Sequence, residues 1–179
     1  MSQVIDINES RMLVATRRAY RNWNSHFKEE FGPVTRTCHL SLGTLSYLAQ
    51  PKEKGTFLLY DLIMNLKGLG SGFEFEGMSP DKKMIVIDHY LFLLDRLRFE
   101  CMKRLGWLQE YPGEEYPLVE LISDYEMLAP GLCAKIPVPG PDFPPCGDYY
   151  RMNNFEREAH IRKQIPTALE AIESRLKNI

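Results

Sequence analysis

Hydrophobic and polar positions alternate along this chain with a period close to 3.6 almost throughout, which predicts helices. The strongest pattern runs from Ser79 to Leu108. Val86, Ile87, Tyr90, Leu91, Leu94, Leu97, Cys101 and Leu105 fall on one broad face, widened by Met84, Phe99 and Met102. His89, Arg96, Glu100 and Lys103 form a narrow polar stripe opposite. So wide an apolar arc predicts a central helix, about 80–106, touching several neighbours. Ser79 can cap it, Pro80 suits its first turn, and Asp81 sits at the positive end of its dipole.

Around it the pattern predicts further helices. One starts at Asn8 or Ser10 and reaches about Glu30, with Met12, Leu13, Thr16, Ala19, Tyr20, Trp23, Phe27 and Phe31 as its stripe. Residues 34–49 fit a strand or a helix. Helix from Thr37 to Ala49 is favoured, because no partner strand is evident. Thr56 to Lys67 is a strongly apolar helix whose Lys54, Asp61 and Asn65 read as a solvent stripe. Pro117 opens another helix, through Leu121, Ile122, Tyr125 and Leu128. Residues 129–150 hold six of the twelve prolines and are expected to be a long loop. The last helical region starts at Asn153 or Asn154 and meets Pro166, which kinks it or starts a new helix. The fold class expected is therefore all-α: a single-domain bundle over residues 1–179 around the central helix.

Gly68, Gly70 and Gly72 stand between two predicted helices. A dinucleotide loop follows a strand and opens a helix, whereas these glycines close one. Gly68 reads as a C-cap, and Gly70 and Gly72 as a hinge leading to the central helix.

Net charge is −2, against a general nucleic-acid binder. Residues 1–60 carry eight Lys/Arg and five Asp/Glu (+3), and residues 61–120 carry seven and eleven (−4). Arg17, Arg18, Arg21 and Lys28 share one side of the first helix, a solvated face or an anion-binding one. No apolar run reaches the ~20 residues of a membrane span. Cys38, Cys101, Cys133 and Cys146 form no CxxC and read as free thiols of a reducing cytoplasm. No residue set has the spacing of a di-iron bundle, a zinc protease, a Walker loop or a serine hydrolase. No catalytic residue, metal site or cofactor is assigned.

One stretch of the central helix, Asp88-His89-Tyr-Leu-Phe-Leu-Leu94-Asp95-Arg-Leu97, resembles the Asp-His motif of the redox-enzyme maturation chaperones, the TorD/NarJ-like family. The family usually has a proline before Asp-His. Here that position is Ile87, and Pro80-Asp81 stands upstream. Leu121 to Pro130 is similar to the family's helix leading into a proline turn, and Asp148-Tyr149-Tyr150-Arg151 to the start of its final helix. The resemblance implies a cytoplasmic, non-catalytic chaperone. Its partner would be an apo-oxidoreductase, whose catalytic subunit it holds by the leader or N-terminal segment during molybdenum cofactor insertion. Asp81, Asp88, His89 and Asp95 would bind that peptide, Gly68, Gly70 and Gly72 would form the hinge, and the protein would be a monomer or a domain-swapped dimer. The competing reading is a bundle enclosing a small molecule, haem or metal, with His39, His89 or His160 as contacts. A third is an interaction subunit with no ligand.

Overall fold

A computed structural model describes residues 7–144 and 147–179. Helices packed on one another make up the architecture, so the fold is an all-α bundle. In chain order the helices are α1 (Ile7–Ala19), α2 (Arg21–Phe27), α3 (Leu42–Ala49), α4 (Glu53–Leu66) and α5 (Pro80–Arg104). They continue with α6 (Leu118–Ser123), α7 (Tyr125–Cys133), α8 (Asn154–Lys163) and α9 (Ile165–Lys177). A small antiparallel pair, β1 (Leu108–Glu110) with β2 (Val138–Pro139), closes one end.

The central helix begins where its cap residues place it. Ser79 Oγ accepts the Lys82 N–H, Pro80 occupies the first turn, and the helix ends before Gly106 at φ +78°. It packs against α3, α4, α6 and α9. Val86, Leu94, Leu97, Phe99, Cys101, Met102 and Leu105 are buried as expected. Met84 and Leu91, assigned by periodicity to the apolar face, are instead about half exposed. His89, Arg96 and Glu100, placed on the polar stripe, are nevertheless buried. One contiguous hydrophobic cluster draws on residues from Ala19 in α1 to Ile172 in α9.

Elsewhere tertiary contacts reset the elements. The long first helix is divided at Tyr20, where α1 stops and α2 begins. Tyr20, Trp23 and Phe31 are all buried together, and Trp23 Nε1 donates to Leu58 O at 2.7 Å. A straight helix would not carry Ile7 to Phe31 round that cluster. Residues 37–39 form a single 3₁₀ turn, and α3 starts only at Leu42 behind a Ser41 cap. The Arg104 guanidinium takes the Thr37 and Leu40 carbonyls at 3.0 and 2.7 Å and ties this turn to α5.

The expected loop at 129–150 is shorter. α7 continues through Pro130 to Cys133, and Val138–Pro139 form the short strand that pairs with Leu108–Glu110. Pro145 and Cys146 of that segment lie outside the described residues. At Pro166 a new helix starts, with the proline in its first turn. Along α8, Phe155 and Ala159 are exposed, and Ile161 is its buried residue. Cys38, Cys101 and Cys133 are free thiols. No helix among the described residues is long and apolar enough to cross a membrane.

Candidate functional site

Asp81, Asp88 and Asp95 recur every seven residues on α5, so two-turn steps keep them on one side of the helix. Met84 and Leu91 sit between them, exposed at 55% and 53%. Asp81 and Asp88 are exposed and carry no ion pair among the described residues. This side of the central helix is therefore uncovered, whereas the opposite side is packed from Val86 onward. It presents the Met84 thioether between the carboxylates of Asp81 and Asp88, and the Leu91 isobutyl group beyond Asp88.

Asp95 behaves differently. Arg162 of α8 binds it with both terminal nitrogens, at 2.9 and 2.7 Å, and also reaches Glu158 at 3.2 Å. Hydrogen bonds to Asp95 hold the Arg162 guanidinium's pKa above its ordinary value. A bidentate pair of this kind fixes α8 on α5, and it leaves Asp95 already partnered. Asp95, expected to bind peptide, is here a strut between helices.

His89 lies under the surface rather than on it, 2% exposed. Its ring stacks on Tyr125 of α7, centroids 4.0 Å apart, and Phe92 meets the same tyrosine edge-on. His89 Nδ1 is 2.7 Å from the Ile85 carbonyl. A carbonyl only accepts, so Nδ1 is assigned the proton and the neutral Nε2 carries a lone pair. That nitrogen is 3.7 Å from Glu126 Oε1 and has no hydrogen-bond partner. Lys67 Nζ meanwhile holds both Glu126 oxygens at 3.1 Å. Burial pushes the His89 pKa down, and nearby Lys67 adds to this. The Ile85 carbonyl, Glu126 and Asp88 oppose it. Beside the exposed acidic face stands a neutral, packed imidazole that orders Tyr125, not a free contact.

Arg96 and Glu100 continue the buried row. Arg96 lies between Phe92 and Phe99, at 4.8 and 5.1 Å from their ring centres, and donates to the Pro112 carbonyl. Glu100 accepts from Arg104 Nε at 3.1 Å and from the Tyr111 hydroxyl at 2.7 Å, and that hydroxyl also meets Thr37 Oγ1. Arg104 and the two rings lie within a turn on α5, but Pro112, Tyr111 and Thr37 lie beyond the helix, where its periodicity carries no information.

The proposed hinge is anchored at one end. Gly68 and Gly70 adopt positive φ, +69° and +99°, and the Leu69 N–H closes α4 onto Met64 O. Gly72, however, is buried, its N–H donates to Asp61 Oδ1 at 2.8 Å, and a side chain there would meet the Phe57 ring. Asp61 itself is fully buried, and Asn22 donates to its other oxygen at 2.8 Å. The stripe assigned to solvent is here a buried polar link joining α2, α4 and the segment before α5.

The three histidines of the enclosed-ligand reading are held separately. His39 is exposed and accepts the Arg36 N–H, His89 lies under Tyr125, and His160 packs beside Phe143 and Tyr149. Among the described residues no three His, Cys, Asp or Glu side chains converge as metal ligands. Comparison with known proteins finds no matching family, curated protein or solved structure.

Proposed function

We propose that this chain is a non-catalytic binding protein whose α5 face holds a basic, amphipathic segment of a protein partner. The observation that carries the reading is the uncovered row Asp81, Met84, Asp88 and Leu91 on a helix whose other side is packed in the core. Exposed apolar side chains next to unpaired carboxylates suit a helix with apolar anchors and flanking arginines. Beside the row the buried His89 ring stacks on Tyr125, and the Lys67–Glu126 pair joins α4's end to α7 at the surface. The resemblance to the redox-enzyme maturation chaperones specifies the partner. It would be the leader or N-terminal segment of a molybdoenzyme catalytic subunit, held in the cytoplasm while cofactor is inserted.

Fluorescence polarisation with labelled leader peptides of such subunits, against scrambled peptides of equal charge, tests this. Leaders should bind more tightly than their scrambled forms. Asp81→Asn with Asp88→Asn should weaken binding roughly five- to tenfold, the worth of two exposed charge pairs at about 0.5–0.7 kcal/mol each. Met84→Ser with Leu91→Ser should weaken it at least as much. Equal binding of leader and scrambled peptides would remove the chaperone reading. Binding indifferent to all four changes would remove the site.

A further inference from the structure

A second uncovered row lies on α1. Thr16 and Ala19 face the interior, and the opposite side carries Ile7, Arg11, Val14 and Arg18. Ile7 and Val14 are 67% and 62% exposed, and Arg11 and Arg18 make no ion pair among the described residues. The steps along this row are four, three and four residues, apolar then basic. The row Met84, Asp88, Leu91 and Asp95 on α5 has the same steps, apolar then acidic. Because Arg162 already occupies Asp95, the free match is Arg11, Val14 and Arg18 with Asp81, Met84 and Asp88, both stepping three and four.

We infer that a second copy of this chain is an occupant of the α5 face, seated through its own α1. The inference rests on the reading of that face as a docking surface. Rows that repeat every seven residues drift alike around their helices, so two such helices stay in contact over their shared length. Val14 and Met84 then lie together between the pairs Arg11 with Asp81 and Arg18 with Asp88. The α1 row points away from its own core, so it is presented outward, to another molecule. The chain's charge asymmetry, +3 over residues 1–60 and −4 over 61–120, favours the same approach. Every copy carries one row of each kind, so a pair of copies can fill two reciprocal seats and close on a two-fold axis. Both seats are needed, because one contact little longer than a heptad, over Arg11–Arg18 and Asp81–Asp88, falls short of the ~1,200 Å² typical of a stable interface. An associated pair has its α5 faces covered, and a client segment must displace α1 to bind.

Sedimentation velocity over a range of protein concentrations tests this. The wild-type mass should double from 20.8 kDa as concentration rises, and added salt should reverse the change. R11D/R18D and D81R/D88R, each altered only at exposed positions, should stay monomeric with unchanged helical circular dichroism. Mixed in equal amounts, they should recover the doubled mass, because each then offers the row that the other has lost. Wild type that remains monomeric at every concentration, either variant associating like wild type, or a mixture that stays monomeric would each overturn the inference. Leader binding to the monomeric R11D/R18D variant separates the two proposals, since that variant keeps its α5 face. Leader binding without wild-type association leaves the chaperone reading and removes this one, and association without leader binding does the reverse.

Discussion

His89 shows how one residue's surroundings fix its chemistry. Burial and the nearby Lys67 cation favour the neutral ring, while the Ile85 carbonyl, Glu126 and Asp88 favour the charged one, and burial prevails. The folded chain therefore takes up the proton less readily than the unfolded chain. Stability tied to His89 is complete above the ordinary histidine value of 6.5 and falls as pH drops below it, until the folded ring protonates. Glu126 does not mask this, because its own backbone N–H and Lys67 hold its carboxyl below the usual range and keep it ionised. Urea midpoints measured at about pH 7.5 and about pH 5.5 should differ more for wild type than for His89→Gln, whatever the variant's overall loss. An equal difference would place the titration elsewhere. The same residue marks a limit of pattern reading. Periodicity correctly placed His89, Arg96 and Glu100 in a row. Their burial depends on Tyr125, Pro112, Tyr111 and Thr37, which no local window connects to them. Asp61 was assigned to solvent for the same reason, since Asn22 and Gly72 are its partners. By contrast, Asp81 and Asp88 were legible, because exposed carboxylates need no partner to explain them.

At the scale of elements, the legible features are those whose determinants are adjacent in sequence. Ser79-Pro80-Asp81 starts α5, Gly68 closes α4, and Asn153 with Glu156 forms the capping box of α8. The β1–β2 pair was not legible, since strands of three and two residues are too short to show alternation. What allows the pair is Gly140. Its N–H donates to Trp107 O at 2.9 Å, and a Cβ there would run into the Gly106 carbonyl oxygen and lie 3.0 Å from the Leu108 carbonyl carbon. Both obstacles are backbone, which cannot swing aside as a side chain can. Gly140→Ala should therefore cost about 1–3 kcal/mol in urea unfolding. Gly131, inside α7 with open space around it, gives the contrast: Gly131→Ala should gain roughly 0.5 kcal/mol by narrowing the unfolded ensemble. Loss of stability confined to Gly140→Ala would identify close backbone approach, not glycine content, as the requirement.

Over the whole molecule, the deciding feature is how many elements share one interior. The buried cluster spans α1 to α9, and α5 touches helices from both halves of the chain. Polar links reinforce this: Arg104 ties α5 to residues 37–40, Glu100 reaches Tyr111 beside β1, and Arg162 joins α8 to α5. No group of helices can leave without exposing apolar surface on those that stay, so unfolding should be a single cooperative step. The two tryptophans allow a direct measurement. Trp23 is fully buried against Leu58 of α4, while Trp107 lies in the turn between α5 and β1. In a Trp107→Phe variant, fluorescence reports only the α2–α4 contact, whereas far-ultraviolet circular dichroism reports every helix. Their urea transitions should coincide in midpoint and slope. An earlier fluorescence transition would mean that α1 and α2 detach as a unit while the rest remains folded. That outcome would also bear on the docking row of α1, whose presentation as a rigid helix depends on Thr16, Ala19 and Tyr20 staying packed in the common core.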